Sequence, residues 1–186
     1  MNLVERDASG VHRELYAILR RSWYELLREI ETLDFGHMTE ADLRSRLYHL
    51  FTSELKNSRI EQILGLVYTE VKINNRPIDL VVFDPVVEDK VFAGVEIKLD
   101  PDPQGIREDL AKLQNHLNRG DIQVGIFVTM ATSDYGLRER LKEQRVVDEF
   151  GLKEDEKTNR GYVEFSRVER RGLNGLATNA QLTLCS

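Results

Sequence analysis

Three charged side chains interrupt two consecutive apolar runs that are typical of β-strands. Asp79 lies near the start of Ile78–Phe83, and Glu96 and Lys98 lie near the end of Val91–Leu99. Both runs are rich in β-branched and aromatic residues, which predicts two antiparallel strands joined by the turn-like segment between them. Two carboxylates and an amine at these positions could hold a metal ion and act on a phosphate ester.

The length of the turn predicts which residues face each other across this hairpin. A turn centred between Val87 and Glu88 pairs residues whose numbers sum to 175, which places Asp79 opposite Glu96. Side chains alternate along a strand, so Lys98 shares a face with Glu96. The three charged groups are therefore expected to converge.

Two facing carboxylates destabilise a sheet unless a cation balances them. Mg²⁺ is suited to this role, because it binds carboxylates together with water and phosphate oxygens. The amine of Lys98 could position or help deprotonate a metal-bound water and offset negative charge that develops on a phosphoester. The pattern therefore indicates metal-assisted hydrolysis.

This arrangement resembles the signature of the PD-(D/E)XK nuclease superfamily, the restriction-endonuclease-like fold, in which an Asp is followed by Glu-x-Lys on the next strand. Asp79 matches the first position, and Glu96 and Lys98 match the second pair. Ile78 stands where the signature has proline, and Pro77 lies one residue earlier. The resemblance implies Mg²⁺ or Mn²⁺ bound by Asp79 and Glu96, with Lys98 as the catalytic amine.

The elements around these strands have the order of that superfamily's core, which is helix, three strands, helix, strand. Hydrophobic periodicity, turn residues and β-branched runs predict these elements. The expected elements are helices over 11–33 and 39–56, strands over 66–73, 78–83 and 91–99, a helix over 106–120, a strand over 122–130, a helix over 135–150 and a strand over 161–168. The resemblance thus covers residues 39–130 and implies an α/β fold with a central mixed β-sheet flanked by helices, with additions at both ends.

Length and composition favour a single domain over residues 1–186. The chain has 186 residues, of which 41% are hydrophobic, enough to fill one core. The sequence predicts a charged loop over residues 151–160 and a loosely ordered tail after Arg171. A membrane span needs roughly 18 apolar residues, and no run approaches that length. The absence of a signal-peptide pattern and the single Cys185 favour a cytoplasmic protein.

An additional acidic residue often comes from the first core helix in that superfamily, and here the choice lies between Glu40 and Glu54. Thr39 is a plausible N-cap of this helix, with Asp42 three residues later. Both Glu40 and Glu54 fall within the apolar stripe, so both are expected to point inward. Glu40 is favoured because it opens an acidic stretch that looks like the helix opening of many members. A charge that complements the helix dipole explains Glu40 equally well.

The formal net charge of −6 counts against a strongly basic nucleic-acid binder. Several basic residues could still contact phosphates, and these are Arg44, Arg46, Lys56, Arg59, Arg167, Arg170 and Arg171. On the helix after the motif, Gln114 could touch the site, although a surface role is commoner for such a residue. The four histidines lack zinc-ligand spacing, and no Walker loop, dinucleotide fingerprint or nucleophile elbow is present.

The sequence therefore predicts a Mg²⁺-dependent nuclease that hydrolyses phosphodiester bonds, with DNA as the expected nucleic acid. Restriction, repair and recombination stay open, as do a homodimer and a partner protein. One alternative is a non-catalytic module of the same fold that binds nucleic acid or a protein. A carboxylate-pair glycosidase is disfavoured, because facing strand partners have Cβ atoms only about 4.5–5.5 Å apart and Lys98 would have no role.

Overall fold

A mixed five-stranded sheet lies at the centre of the protein, and helices cover both of its faces. The computed structural model describes residues 8–32, 38–60, 66–84, 90–100, 102–131 and 161–167. Within these residues the elements are α1 Ala8–Thr32, α2 Glu40–Lys56, β1 Val67–Ile73, β2 Arg76–Phe83, β3 Val91–Leu99, α3 Pro103–Arg119, β4 Val124–Ala131 and β5 Gly161–Arg167. The strands lie in the order β1-β2-β3-β4-β5, so each strand neighbours the next one in the chain.

Strand β3 is the place where the sheet changes from antiparallel to parallel pairing. β1, β2 and β3 pair antiparallel, whereas β3, β4 and β5 pair parallel. A two-residue turn at Asn74 and Asn75 joins β1 to β2, with φ values of 51° and 64°. Positive φ at both positions is the geometry of the hairpin turn that matches strand twist. The mixed sheet expected from the sequence is confirmed, and its central strand β3 carries Glu96 and Lys98 toward its C-terminal end.

The register between β2 and β3 confirms the predicted alignment. The pairs Leu80 with Val95, Val81 with Gly94 and Val82 with Ala93 all have numbers that sum to 175. The register then shifts by one residue between Val82 and Phe83, toward the turn. The aligned part of the hairpin is therefore the part that leads to the charged residues.

Helices α1 and α2 cover one face of the sheet. Apolar residues recur along α1 at steps of three and four, so one stripe of this helix is buried. At the start of α2 a capping box forms: the Asp42 backbone N–H donates to Thr39 Oγ1 at 3.2 Å, and the Thr39 backbone N–H donates to the Asp42 carboxylate at 2.9 Å. Thr39 is thus confirmed as the N-cap. The main hydrophobic core lies between these helices and the sheet, and it includes Leu15, Leu19, Trp23, Leu47, Phe51, Val95 and Ile97.

Helix α3 covers the opposite face. Asp102 caps its start by accepting a hydrogen bond from the Gly105 backbone N–H at 2.7 Å, and Gly120 ends it with a φ of 75°. The apolar stripe of α3 forms a second, smaller core with the sheet, and its buried residues are Ile78, Val81, Val91, Ile106, Leu110, Leu113, Leu117, Ile122 and Phe127. Gly94 of β3 faces this layer, and a Cβ there would lie 3.2 Å from Ile78 Cδ1 and 3.3 Å from Ile122 Cδ1.

The described part of the chain is an α/β protein with three helices and a mixed five-stranded sheet. Each predicted helix and strand within it is confirmed. The predicted helix over 135–150, the charged loop over 151–160 and the tail after 171 lie outside the described residues. The single domain over 1–186 therefore stays a prediction. Among the described helices, none combines the length and apolarity that crossing a membrane requires.

Candidate active site

Asp79 lies at the end of the aligned part of the hairpin, where β2 approaches the middle of β3. Its Oδ2 accepts a hydrogen bond from the backbone N–H of Ile97 at 2.8 Å, and its Oδ1 accepts one from Arg44 Nη1 at 2.8 Å. The side chains of both Arg44 and Asp79 are largely buried. Strand β3 and helix α2 therefore both fix the orientation of this carboxylate.

Arg44 also binds a second carboxylate, on β1. Its Nη2 donates to Glu70 Oε1 at 2.6 Å. Glu70 has a φ of 54°, although the β1 residues on either side of it pair regularly with β2. Positive φ costs free energy for a residue with a side chain, and such residues are enriched at functional sites. The backbone of β1 is thus held in an unfavourable conformation beside Asp79.

Glu96 is the most deeply buried charged group of the site, with 2% of its surface exposed. Its Oε2 lies 2.8 Å from Lys112 Nζ, whereas its Oε1 has no hydrogen-bond partner within the described residues. Burial raises the pKa of Glu96 from 4.5 to about 9; the attraction of Lys112 opposes this shift, and the charges of Asp79 and Asp109 add to it. Burial therefore outweighs the attraction of Lys112 at this carboxyl.

Lys98 lies on the α3 side of the sheet, as Glu96 does. Its Nζ lies 3.3 Å from Asp109 Oδ2 and 3.6 Å from Glu40 Oε1. Burial lowers the pKa of Lys98, but attraction to Asp109 and Glu40 outweighs burial and leaves that pKa above its ordinary value. Lys98 is therefore a positively charged ammonium at neutral pH.

Helix α3 contributes two charged residues that the sequence analysis missed. Lys112 Nζ lies 2.8 Å from Glu96 and 3.2 Å from Asp109 Oδ1, and it donates to the carbonyl oxygen of Pro77 at 3.1 Å. Burial lowers the pKa of Lys112, but attraction to Glu96 and Asp109 outweighs burial and leaves that pKa above its ordinary value. The amine is therefore charged at neutral pH. Asp109, Lys112 and His116 are spaced three and four residues apart, so they lie along one border of the apolar stripe of α3. This spacing was the feature of the sequence that could have placed Asp109 and Lys112 next to the sheet.

The structure places Glu40 beside Lys98, with its Oε1 3.6 Å from Lys98 Nζ, and its role at the site stays a prediction. The expectation that Glu54 also points inward is wrong: its side chain is 48% exposed and pairs with Arg21 at 3.5 Å. The buried residues of α2 recur every four residues, and each such step rotates the stripe by about 40° around the helix. By the end of α2 the buried stripe has turned away from Glu54. The buried residues of this stripe are Leu43, Leu47, Phe51 and Leu55.

Two polar residues considered in the sequence lie elsewhere. Gln114 Nε2 donates to Asn118 Oδ1 at 2.9 Å on its own helix. Arg46 Nη2 pairs with Glu29 Oε2 at 2.6 Å. Arg44 belongs to the site, but it binds the carboxylate of Asp79 in the present structure.

The carboxylates of the site supply oxygen atoms, which are the ligand type that a hard divalent cation prefers. Within the described residues no three His, Cys, Asp or Glu side chains are grouped so that they could together hold a metal. Asp79 and Glu96 would thus be the two protein carboxylates, with water and phosphate oxygens in the other positions, which is an ordinary environment for Mg²⁺. The unpartnered Oε1 of Glu96 and the raised pKa of its carboxyl are both features that a bound cation would relieve.

Comparisons of the chain with protein-family models, curated proteins and solved structures find no match. Fold and site geometry therefore define the class of this protein, which is an α/β protein with a cluster of buried charges at the centre of its sheet.

Proposed function

We propose that this chain is a Mg²⁺- or Mn²⁺-dependent nuclease of the PD-(D/E)XK type, which hydrolyses phosphodiester bonds of DNA. The observation that carries the proposal is the unpartnered Oε1 of Glu96, a carboxylate oxygen that is buried beside Asp79 on the face of the sheet that also holds the ammonium of Lys98. The order of the sheet and its helices agrees with a restriction-endonuclease-like core.

Asp79 and Glu96 would hold the metal ion between β2 and β3. When bound, the ion supplies Lewis-acid polarisation of a phosphoryl oxygen. Lys98 contributes a positive charge that stabilises the negative charge developing on the phosphate. The raised pKa of Lys98 favours this role, or proton donation to the leaving oxygen, over removal of a proton from water.

The remaining charged residues position these three groups. Asp109 and Glu40 hold the ammonium of Lys98 from two helices, at 3.3 Å and 3.6 Å. Lys112 holds Oε2 of Glu96 and leaves Oε1 for a ligand. Arg44 holds Oδ1 of Asp79. Such preorganisation lowers the cost of reaching the transition state, because the charges need little rearrangement during the reaction.

A non-catalytic module of the same fold is the alternative that one observation favours. Each carboxylate of the hairpin already has a protein cation, Arg44 on Asp79 and Lys112 on Glu96. Such pairs could serve stability or the binding of a partner without any metal. Metal binding and cleavage distinguish the two functions.

The test combines metal titration with a cleavage panel. Millimolar Mg²⁺ or Mn²⁺ should raise the unfolding temperature and release or absorb heat, since a ligand of the native state stabilises it. Asp79→Asn should lose this response, and Glu54→Gln, an equivalent change at an exposed site, should keep it. With metal present, at least one of linear, nicked, branched and single-stranded DNA should be cut, and chelation should stop the reaction.

Glu96→Ala prepared identically is the control for a contaminating nuclease. If neither metal produces heat or a thermal shift, the metal site is wrong. If the parent protein and Glu96→Ala both leave every DNA intact but retard it equally in a gel, the binding module is the better description. Loss of both cleavage and retardation would remove nucleic acid as the ligand.

A further inference from the structure

A cleft lies between α2 and the edge strand β1, and it borders the candidate site. Its volume is about 610 Å³, which falls within the range of roughly 300–1,000 Å³ that is usual for pockets that bind small organic groups. The polar side chains along its walls include Arg44, Ser45, His49, Thr69 and Glu70. The cleft therefore offers hydrogen bonds and a guanidinium charge to a ligand.

Strand β1 changes the face that it presents to α2 at Glu70. Val67 packs in the main core under α1 and α2, whereas Val71 packs against the smaller core under α3. Regular alternation would place both valines on the same face, because they are four residues apart. The positive φ of Glu70 lies between them, so the change of face falls at this residue.

Strand β2 makes the same change at Asp79, which lies opposite Glu70. Leu80 belongs to the main core and Ile78 to the smaller one, although regular alternation would place residues two apart on the same face. At this level Glu70 and Asp79 both bind Arg44, at 2.6 Å and 2.8 Å. The irregular step thus brings two carboxylates to one guanidinium of α2.

Glu70 is the partner of Arg44 that a ligand could replace. The side chain of Glu70 is 64% exposed, whereas that of Asp79 is 14% exposed and also accepts a backbone hydrogen bond from Ile97. An exposed ion pair contributes little to stability, and positive φ costs free energy at a residue with a side chain. A guanidinium binds phosphate oxygens as it binds carboxylate oxygens. Glu70 therefore occupies a position in which a phosphate could bind Arg44.

The cleft has further hydrogen-bond donors beside this guanidinium. Ser45 and His49 lie one turn apart on α2, and Thr69 directly precedes Glu70 on β1. Within the described residues the side chains of Ser45, His49 and Thr69 make no hydrogen bond. Hydroxyl and imidazole groups can donate to phosphate oxygens, so these side chains suit the same ligand as Arg44.

We propose that this cleft is a subsite for a phosphate group of the nucleic acid, next to the phosphate that is cleaved, and that Glu70 occupies Arg44 until this phosphate displaces it. The inference rests on the proposed nuclease function and specifies how the site holds its substrate. Because the other nitrogen of Arg44 binds Asp79, the guanidinium would connect the bound phosphate to a proposed metal ligand. The phosphate comes from a phosphodiester within the strand or from a phosphorylated strand end, since both present anionic oxygens.

Fluorescence anisotropy with chelator and low salt tests this subsite without requiring cleavage. Two short single strands of DNA with fluorescein at the 3′ end, one with a 5′-phosphate and one with a 5′-hydroxyl, are titrated with the parent protein and with variants. Glu70→Gln should raise the affinity about threefold to fivefold, because the phosphate then displaces no ion pair. Glu54→Gln is the matched control, since Glu54 is also an exposed carboxylate paired with an arginine, and it should bind like the parent protein.

Variants of Arg44 and Thr69 distinguish direct contact from long-range charge. In an Arg44→Gln background, Glu70→Gln should no longer raise the affinity, because the cation that Glu70 occupies is gone. Thr69→Val changes no charge and should weaken binding about threefold, because it removes one hydrogen bond to the phosphate. Thr69→Ser keeps the hydroxyl and should bind like the parent protein. Circular dichroism verifies that the variants fold.

Each outcome decides the subsite separately from the nuclease. A gain from Glu70→Gln on both strands supports an internal phosphodiester, and a gain confined to the 5′-phosphorylated strand supports a terminal phosphate. A gain no larger than that of Glu54→Gln, or one that persists with Arg44→Gln, would overturn the subsite even if DNA is cut. Equal affinity of Thr69→Val and the parent protein, or a parent protein that binds neither strand, would overturn it too. An Arg44-dependent gain without cleavage under any metal would support the subsite and overturn the nuclease.

Discussion

The two faces of the sheet differ in what they bury. The face under α1 and α2 holds the larger core, which draws apolar side chains from both helices and from β1, β2, β3 and β4. The face under α3 holds a smaller core and, beside it, the buried carboxylates Glu96 and Asp109. A buried carboxylate lowers stability unless it is paired, whereas each buried aliphatic side chain raises it.

The difference indicates that one face mainly stabilises the fold and that the other carries the charged residues of the candidate site. The α1 and α2 side supplies stability that the charges on the α3 side reduce, as is common where a functional site requires groups that pack poorly. Substitutions on the two faces should therefore affect different measurements, and this separation can be tested.

The largest effect is expected on the apolar face. Leu19→Ala removes a fully buried side chain of α1 and should lower the free energy of unfolding by about 2–5 kcal/mol, because it leaves a cavity. Urea unfolding measures this loss. Leu66→Ala makes the same change at a side chain that is 68% exposed, and its effect should stay within about 0.5 kcal/mol. Similar losses in both variants would contradict the assignment of stability to this face.

Lys98→Ala, on the other face, should change the free energy of unfolding less than Leu19→Ala does. Its main effect should be on the rate of cleavage. Loss of the ammonium should reduce cleavage about 100-fold or more, while metal and DNA binding persist, because the charge acts mainly in the transition state. Single-turnover cleavage assays report this change. Lys72→Ala also removes one lysine, at an exposed position outside the site, and should cut at the parent rate. Weaker DNA binding with unchanged single-turnover cleavage would instead make Lys98 a phosphate clamp.

The effect that is smallest per pH unit is the pH dependence that Glu96 gives to stability. The unfolded chain releases this proton near pH 4.5 and the folded chain near pH 9, so between these values the folded state retains a proton that the unfolded state has lost. The stability of the metal-free protein should therefore fall as pH rises through this window, by at most about 1.4 kcal/mol per pH unit. Glu96→Gln removes this component, so its stability relative to the parent protein should rise with pH.

Urea unfolding of both proteins at several pH values measures this difference. Glu54→Gln is the matched control, because it makes the same substitution at an exposed carboxylate. Saturating Mg²⁺ should also flatten the dependence of the parent protein, since the ion binds the ionised carboxylate. A Glu96→Gln difference that does not change with pH would show that Lys112 keeps Glu96 ionised.

Local patterns in the sequence were sufficient for the elements and for the hairpin. The capping box of Thr39 and Asp42 depends on residues three apart, and the register of β2 and β3 depends on one turn and on side-chain alternation. Asp79, Glu96 and Lys98 could therefore be predicted to converge. The nuclease activity, its metal and its nucleic acid stay predictions.

The partners of these charges could not be predicted, because packing between distant elements determines them. Arg44 comes from α2, and Asp109 and Lys112 come from α3, on opposite faces of the sheet. A straight apolar stripe was assumed for α2, but steps of four residues rotate the stripe around the helix, and this rotation separated Glu40 from Glu54. The periodicity of one sequence predicts the average direction of the buried face of a helix. It does not predict how that face rotates from one end of the helix to the other.

Gly94 of β3 packs closely against the side chain of Ile78 on β2. A Cβ at position 94 would lie 3.2 Å from Cδ1 of Ile78, the residue that directly precedes Asp79. A methyl group there would require the side chains of Ile78 and Ile122 to move by a few tenths of an ångström. A misplacement of about 1 Å between reacting groups can slow a reaction about 100-fold. The absence of a side chain at Gly94 thus leaves room for Ile78, the residue next to Asp79, so a position without a reactive group contributes to the packing beneath the candidate site.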